Sequence, residues 1–319
     1  MFIEQAYKAK NTGFLWYLLG SFIVALGAII GQAPWTVAVF LAKGPSAFMN
    51  PDQNALMRIL DSNLNLFLLM LSFVVGAVVF YFVIRLIHQQ RLKDLATTRE
   101  KFDWERVFFS FGIIVLYSVG TTLLDYFMNP ADYVLNFEPL QFFILCVIAI
   151  VMVPIQTSLE EFLFRGYLMQ GFGLLAKNRW FPLMMTSLIF GSLHLANPEV
   201  TKMGYILSVS YIGAGLLLGI MTLMDEGMEL SLGYHAANNL TIALLMTTDW
   251  GAFQTDAILK NIAEPEVGFE VFLPILIVYP ILLTILAYRY KWTGWREKLF
   301  GRIDPPSSPE PLGEYRAAD

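Results

Sequence analysis

Runs of roughly twenty predominantly apolar residues recur along this chain, and they restrict its structure more than any other feature. The hydrocarbon core of a bilayer is roughly 30 Å thick and a helix rises about 1.5 Å per residue, so about 20 apolar residues carry a helix across it. About eight such runs are present: Phe14 to Ile30, Leu64 to Ile84, Val107 to Leu124, Leu140 to beyond Leu159, Trp180 to Ala196, Gly204 to Met224, Leu230 to Met246 and Val271 to Tyr288. Only 15% of the 319 residues are charged, against about a quarter in a soluble domain. The expected fold class is all-α, a polytopic transmembrane bundle of about eight helices.

Orientation follows from Lys and Arg in short loops, which favour the cytoplasmic side. Arg85, Arg91, Lys93, Arg99, Lys101 and Arg106 crowd the connection after the second run, and Arg289, Lys291, Arg296, Lys298 and Arg302 follow the last. An even number of spans then places both termini in the cytoplasm, in agreement with Lys8 and Lys10. The loop from Asp125 to Pro139 has acids without Lys or Arg and suits the outside. The first run is long for a signal peptide and Pro34 and Trp35 follow it at once, so it reads as an uncleaved anchor.

Residues 1–302 read as one transmembrane domain. The stretch 303–319, with four prolines among small and polar residues, reads as a disordered cytoplasmic tail. Two longer loops, Gln32 to Asn63 and Thr247 to Glu270, are expected at the interface because Trp35, Phe48, Trp250 and Phe253 suit the headgroup region. Cys146, the single cysteine, has no disulfide partner and reads as a buried structural thiol. A formal charge of -5 and the absence of a basic patch exclude nucleic acid as a partner class.

An ionisable side chain inside a span costs several kcal/mol, so each one is a functional candidate. Glu160 and Glu161 lie between apolar runs, with Arg165 one turn on. Glu161 and Arg165 are i and i+4 and can pair, whereas Glu160 points about 100° away and is left free, as a general base needs. A solvated helix end accounts for the two acids equally well when they are taken alone. Phe190 and His194 lie late in the fifth run, and His235 and Asn239, again i and i+4, share a helical face in the seventh. A lone membrane histidine more often bonds helix to helix than catalyses. The third histidine, His88, stands among Arg85, Gln89 and Arg91 and reads as solvated.

Glu160, Glu161 and Arg165, then Phe190 and His194, then His235 and Asn239 resemble, in this order, the E-E-x-x-x-R, F-x-x-x-H and H-x-x-x-N signature of the CPBP family, the CAAX-processing proteases and bacteriocin-immunity proteins also called the Abi family. The resemblance covers 158–239. It implies an intramembrane endopeptidase with a polar cavity within the bundle, open to the cytosol, acting on membrane-associated proteins or peptides. By the same resemblance Glu160 activates a water molecule assisted by His194, and His235 and Asn239 stabilise the oxyanion. Glu161, Arg165 and Phe190 then have supporting roles.

Glu160, His194 and His235 could equally form a three-ligand Zn2+ site with a position left for water. Against this, H-E-x-x-H is absent and Asn239 is a poor zinc ligand, so the metal-independent mechanism is favoured. Two other classes compete: a transporter relaying protons or ions through the same residues, and a non-catalytic immunity or scaffold protein. No matching pair of interrupted helices in the two halves supports transport. A compact chain of this kind suits a bacterial plasma membrane. Gly215 to Gly219 is G-x-x-x-G and predicts close helix packing, and Pro154 predicts a kink before Glu160. For His194 to reach His235, the fourth helix must continue past Glu160 to about Gln170.

Overall fold

The computed structural model describes residues 1–49, 53–265 and 268–305, and it is predominantly helical. Helix α1 (Phe14–Gly31) passes almost directly into α2 (Ala33–Lys43), and α3 (Ser62–Phe82) and α4 (Trp104–Met128) follow. Helix α5 (Pro139–Glu161) continues through a π-helical turn, Phe162–Leu168, into α6 (Met169–Ala176). The remaining long helices are α7 (Trp180–Leu193), α8 (Leu207–Asp225), α9 (Glu229–Leu245) and α10 (Tyr279–Tyr290), with the short α11 (Trp295–Phe300) last.

Six segments are long and apolar enough to cross a membrane: Phe14–Lys43, Ser62–His88, Trp104–Met128, Pro139–Ala176, Leu207–Asp225 and Phe269–Tyr290. The fifth and seventh expected spans are helices too, but shorter, at Trp180–Ala196 and Glu229–Leu245. Helix α9 packs against α4 on one side and α5 on the other, and α7 packs along α8. A helix enclosed by its neighbours escapes the demand for an unbroken apolar surface, which is why polar residues concentrate on these two. Lipid-facing apolar side chains such as Leu15, Phe22, Phe108 and Leu116 stay exposed on α1 and α4.

Local chemistry accounts for the helix boundaries. The Asp61 carboxylate accepts from the amides of Asn63 and Leu64 at the start of α3, and Asp103 does the same for Glu105 and Arg106 at α4. Pro154 lies inside α5 without ending it. The helix runs on to Ala176, beyond the Gln170 that the site requires. Gly215 lets α8 approach α7 so closely that a Cβ there would stand 2.9 Å from the Cα of Ser187, the close packing expected of G-x-x-x-G.

The two ends of the bundle differ. At one end the Lys- and Arg-rich segments meet: Arg99 bonds Asp225 and Glu229, Arg106 bonds Asp225, Arg179 bonds Glu4, and Lys298 donates to the carbonyl of Met224. At the other end β1 (Tyr133–Leu135) pairs antiparallel with β3 (Leu259–Asn261), which pairs parallel with β2 (Met246–Thr247). This small sheet is the one departure from an all-helical chain among the described residues.

Three expectations need correction. The loop 32–63 contains α2 and two short helices, Ser46–Met49 and Gln53–Met57, and Trp35 is buried with its indole donating to Asn65 at 2.7 Å. Trp250 and Phe253 line a cavity. His88 is fully buried, bonded to the Tyr167 hydroxyl at 2.8 Å and stacked on Tyr17, because the helix end carrying it is covered by α1 and the π-helical turn. Ile303, the first residue of the expected tail, is 1% exposed and packs with Phe2 and Ile3. Residues 306–319 of that tail lie outside the described residues. Cys146 is free and half-buried.

Candidate active site

Glu160 and Glu161, neighbours in sequence, face different surroundings because a helix turns about 100° per residue. Glu161 is fully buried and its Oε1 accepts two bonds, from Arg165 Nη1 at 3.0 Å and from His235 Nδ1 at 2.8 Å. The Arg165 guanidinium, equally buried, sits over the ring of Phe190 at 4.3 Å. An uncompensated charge in such a place would be costly, so carboxylate, guanidinium and aromatic face form one unit. The expected Glu161–Arg165 pair is present, and it also holds an imidazole in place.

Glu160 turns towards the interior space. Its Oε1 accepts from Gln156 Nε2 at 2.6 Å, while Oε2 has no hydrogen-bond partner and lies 3.6 Å from His235 Nε2. Gln156 also accepts from Asn239 Nδ2 at 3.1 Å, so one amide bridges the carboxylate on α5 and the asparagine on α9. Nothing in the three motifs pointed to Gln156. Its spacing, i and i+4 before Glu160, was the available signal.

The two histidines present their Nε2 atoms differently. At His194, just past the end of α7, Nδ1 lies 2.8 Å from the carbonyl of Phe190. A carbonyl only accepts, so Nδ1 carries the hydrogen and the Nε2 of the neutral ring is an acceptor. The ring lies 4.7 Å from that of Tyr211, whose hydroxyl donates to Glu199 at 2.5 Å. His235 likewise directs Nδ1–H to Glu161, leaving Nε2 toward Glu160. Phe190 stands between the imidazoles, its ring 4.4 Å from that of His194 and 6.0 Å from that of His235. Tyr211 and Glu199 were likewise missed by the sequence reading, since neither falls in a motif.

Glu160, His194, His235 and Asn239 all line one cavity of about 600 Å³ within the bundle. Its wall continues to Gln32, Asn197, Glu199, Thr248 and Trp250, all in segments at the sheet end. The resemblance implies a mouth on the cytosolic side, which the Lys and Arg distribution assigns to the opposite end. Met169, Leu183, Leu223, Met228 and Leu232 are buried in one apolar cluster with Phe2, Ile3 and Ile303. Among the described residues, none of the Lys and Arg of that end lines the cavity.

Among the described residues no three His, Cys, Asp or Glu side chains converge to hold a metal ion. Within the set named from the sequence, Glu160 Oε2 and His235 Nε2 lie 3.6 Å apart, and the Phe190 ring packs against both imidazoles.

Residues 139–241 match the family described as Type II CAAX prenyl endopeptidase Rce1-like, a range that contains every residue of the site from Gln156 to Asn239. The Bacillus subtilis (strain 168) protein YyaK, described as uncharacterized, is 30% identical over 244 residues, which cover 75% of this chain and 80% of that protein. No solved structure matches the chain.

Proposed function

This chain belongs to the CPBP family, among its Rce1-like CAAX-type proteases, and from that premise we propose that it is an intramembrane endopeptidase with Glu160 as general base. It is an integral membrane protein. We place it in a bacterial plasma membrane as one transmembrane unit over residues 1–302, with both termini cytoplasmic on the positive-inside rule. The substrate is a membrane-associated protein or peptide.

One observation carries the proposal: the unpartnered Oε2 of Glu160 faces the Nε2 of His235 across 3.6 Å on the wall of the cavity. A water molecule at that oxygen loses its proton to Glu160 and attacks the scissile carbonyl carbon, with His194 Nε2 holding the second hydrogen. The oxyanion takes hydrogen bonds from Asn239 Nδ2 and from the Nε2–H of His235, whose ring takes that proton from bulk water before the substrate enters and keeps it through the cycle. Such donors are most effective where water is excluded. The proton held on Glu160 then passes to the amide nitrogen as the C–N bond breaks, and the second proton of the water passes through His194 Nε2 to the freed amine, releasing a carboxylate and an ammonium. Glu161 and Arg165 orient the His235 ring, with Nδ1–H bonded to Glu161. In this reading Glu160 acts as base without a metal.

The test compares purified wild type and Glu160→Gln on a labelled peptide library. The isosteric amide keeps the Gln156 contact but cannot take a proton, so cleavage falls by about 10²–10⁴-fold, the range for loss of a general base. Undiminished cleavage by the variant overturns the assignment.

A further inference from the structure

The cavity holds two carboxylates, and the hydrolytic reading uses one of them. Among the described residues Glu160 and Glu199 are the acids that line it, and neither Lys nor Arg does. Glu199 stands in the first turn of the short helix Pro198–Met203, directly after the turn that carries His194. Its Oε1 accepts from the Tyr211 hydroxyl at 2.5 Å and from Asn197 Nδ2 at 3.1 Å. Its Oε2 is buried and has no hydrogen-bond partner among the described residues.

No cation of the chain answers this charge. Lys202, three residues on, turns to the exposed Glu264 at 3.2 Å. A carboxylate withdrawn from water without a counter-charge is costly, and a cation brought to its free oxygen relieves that cost. The group also adjoins the chemistry. The Tyr211 ring that Glu199 holds lies 4.7 Å from the ring of His194, so whatever binds at Oε2 sits one aromatic ring from the attacking water.

We propose that Glu199 Oε2 is the subsite for a cationic side chain of the substrate, a Lys or Arg close to the scissile bond. Tyr211 and Asn197 fix the carboxylate, and the ammonium or guanidinium donates to the oxygen that they leave open. Leu69, Met70, Phe73, Ile242 and Phe253 make much of the remaining wall apolar, so the segment selected is apolar with one basic residue. That the occupant is a substrate rests on the hydrolytic reading above, whereas the preference for a cation does not.

Binding is measured first, by fluorescence anisotropy on the full-length protein purified in detergent and carrying Glu160→Gln. That substitution suppresses turnover and leaves Glu199 as the carboxylate on the cavity wall. The probes are labelled apolar peptides with a single Lys at successive positions, each paired with a counterpart bearing norleucine, which keeps the four-carbon chain without the ammonium. At the position that reaches Glu199 the Lys peptide should bind about 10–100-fold tighter than its counterpart, the range for one charge-assisted hydrogen bond. A Glu at that position should bind weakest of the three. Adding Glu199→Gln, whose amide oxygen still accepts from Tyr211, should remove the preference. Equal affinity of Lys and norleucine peptides at every position, a Lys preference that survives Glu199→Gln, or no binding of any peptide overturns the subsite. The ranking of Lys, norleucine and Glu peptides decides alone if the second substitution prevents folding. The same peptides are then offered to the protein with Glu160 intact. A Lys preference in binding without cleavage keeps the cation subsite and defeats hydrolysis, whereas cleavage indifferent to Lys at every position leaves hydrolysis intact and overturns the subsite.

Discussion

Adjacent Glu160 and Glu161 share a side-chain type, yet the helix gives them opposite tasks. Glu161 is fully buried, bound through Oε1 to Arg165 and His235, and stands outside the cavity lining, whereas Glu160 lines the cavity with its Oε2 free of a hydrogen-bond partner. Arg165→Met leaves the Glu161 carboxylate buried without its cation, a loss of about 3–5 kcal/mol. It should appear as a large drop in the thermal midpoint in detergent, with the folded fraction falling before any effect on turnover can be read. Gln156→Leu removes the bridge between Glu160 and Asn239 while keeping the volume of the side chain. The expected outcome is about a tenfold fall in kcat, roughly 1.4 kcal/mol, with little change in KM or in melting temperature. A change confined to KM would show that Gln156 binds substrate instead. The roles of these residues were legible in part: the i, i+4 spacing predicted the Glu161–Arg165 pair and the shared face of His235 and Asn239. The bond from Glu161 to His235 joins residues 74 apart, and no local spacing could predict it.

At the scale of helices, the positions of these side chains depend on how closely α4, α5 and α9 approach one another. Gly233 on α9 faces the backbone of α4, and an added Cβ would sit 2.1 Å from the carbonyl oxygen of Val107. Backbone cannot rotate away as a side chain can, so Gly233→Ala should destabilise by about 1–3 kcal/mol and weaken cleavage by shifting His235 two residues away. Thermal unfolding and peptide cleavage measured on the same preparation check this, and an unaltered midpoint would refute the close approach. The short helix Leu92–Ala96 at the basic end is held differently. Burial pushes the Asp94 carboxyl up, but the hydrogen bond from Arg91 and the charges of Lys8 and Arg91 outweigh it and hold it below the ordinary carboxylate value. A carboxyl with a depressed folded pKa stabilises the protein above its unfolded pKa, and that contribution is lost as pH falls through the folded value. The thermal midpoint should therefore fall from about pH 5 downward, and Asp94→Asn should flatten that part of the curve. Length and hydropathy placed all the long helices, but the π-helical turn Phe162–Leu168 gave no local signal, because it depends on how Arg165 and Tyr167 are seated by other helices.

For the molecule as a whole, the basic end is a seal made from both ends of the described chain. Phe2 and Ile3 meet Ile303 over Leu223 and Met228, and the backbone of Ile303 donates to Lys177. Removing residues 2–8 cuts no membrane span, yet it uncovers this cluster. It should lower the thermal midpoint and let a water-soluble maleimide reach a cysteine placed at Leu232 that is shielded in the intact protein. The sequence by itself determined that the chain is a membrane helix bundle, which end carries the positive charge, and which residue types stand inside the apolar runs. Those properties are local, since run length, loop charge and helical periodicity are each read within a few turns. Only the tertiary structure decided which carboxylate lines the cavity, that Gln156 joins two helices, and that Glu161 holds the His235 ring. Each of these depends on distances between segments far apart in the chain, and those distances are set by packing all the helices at once.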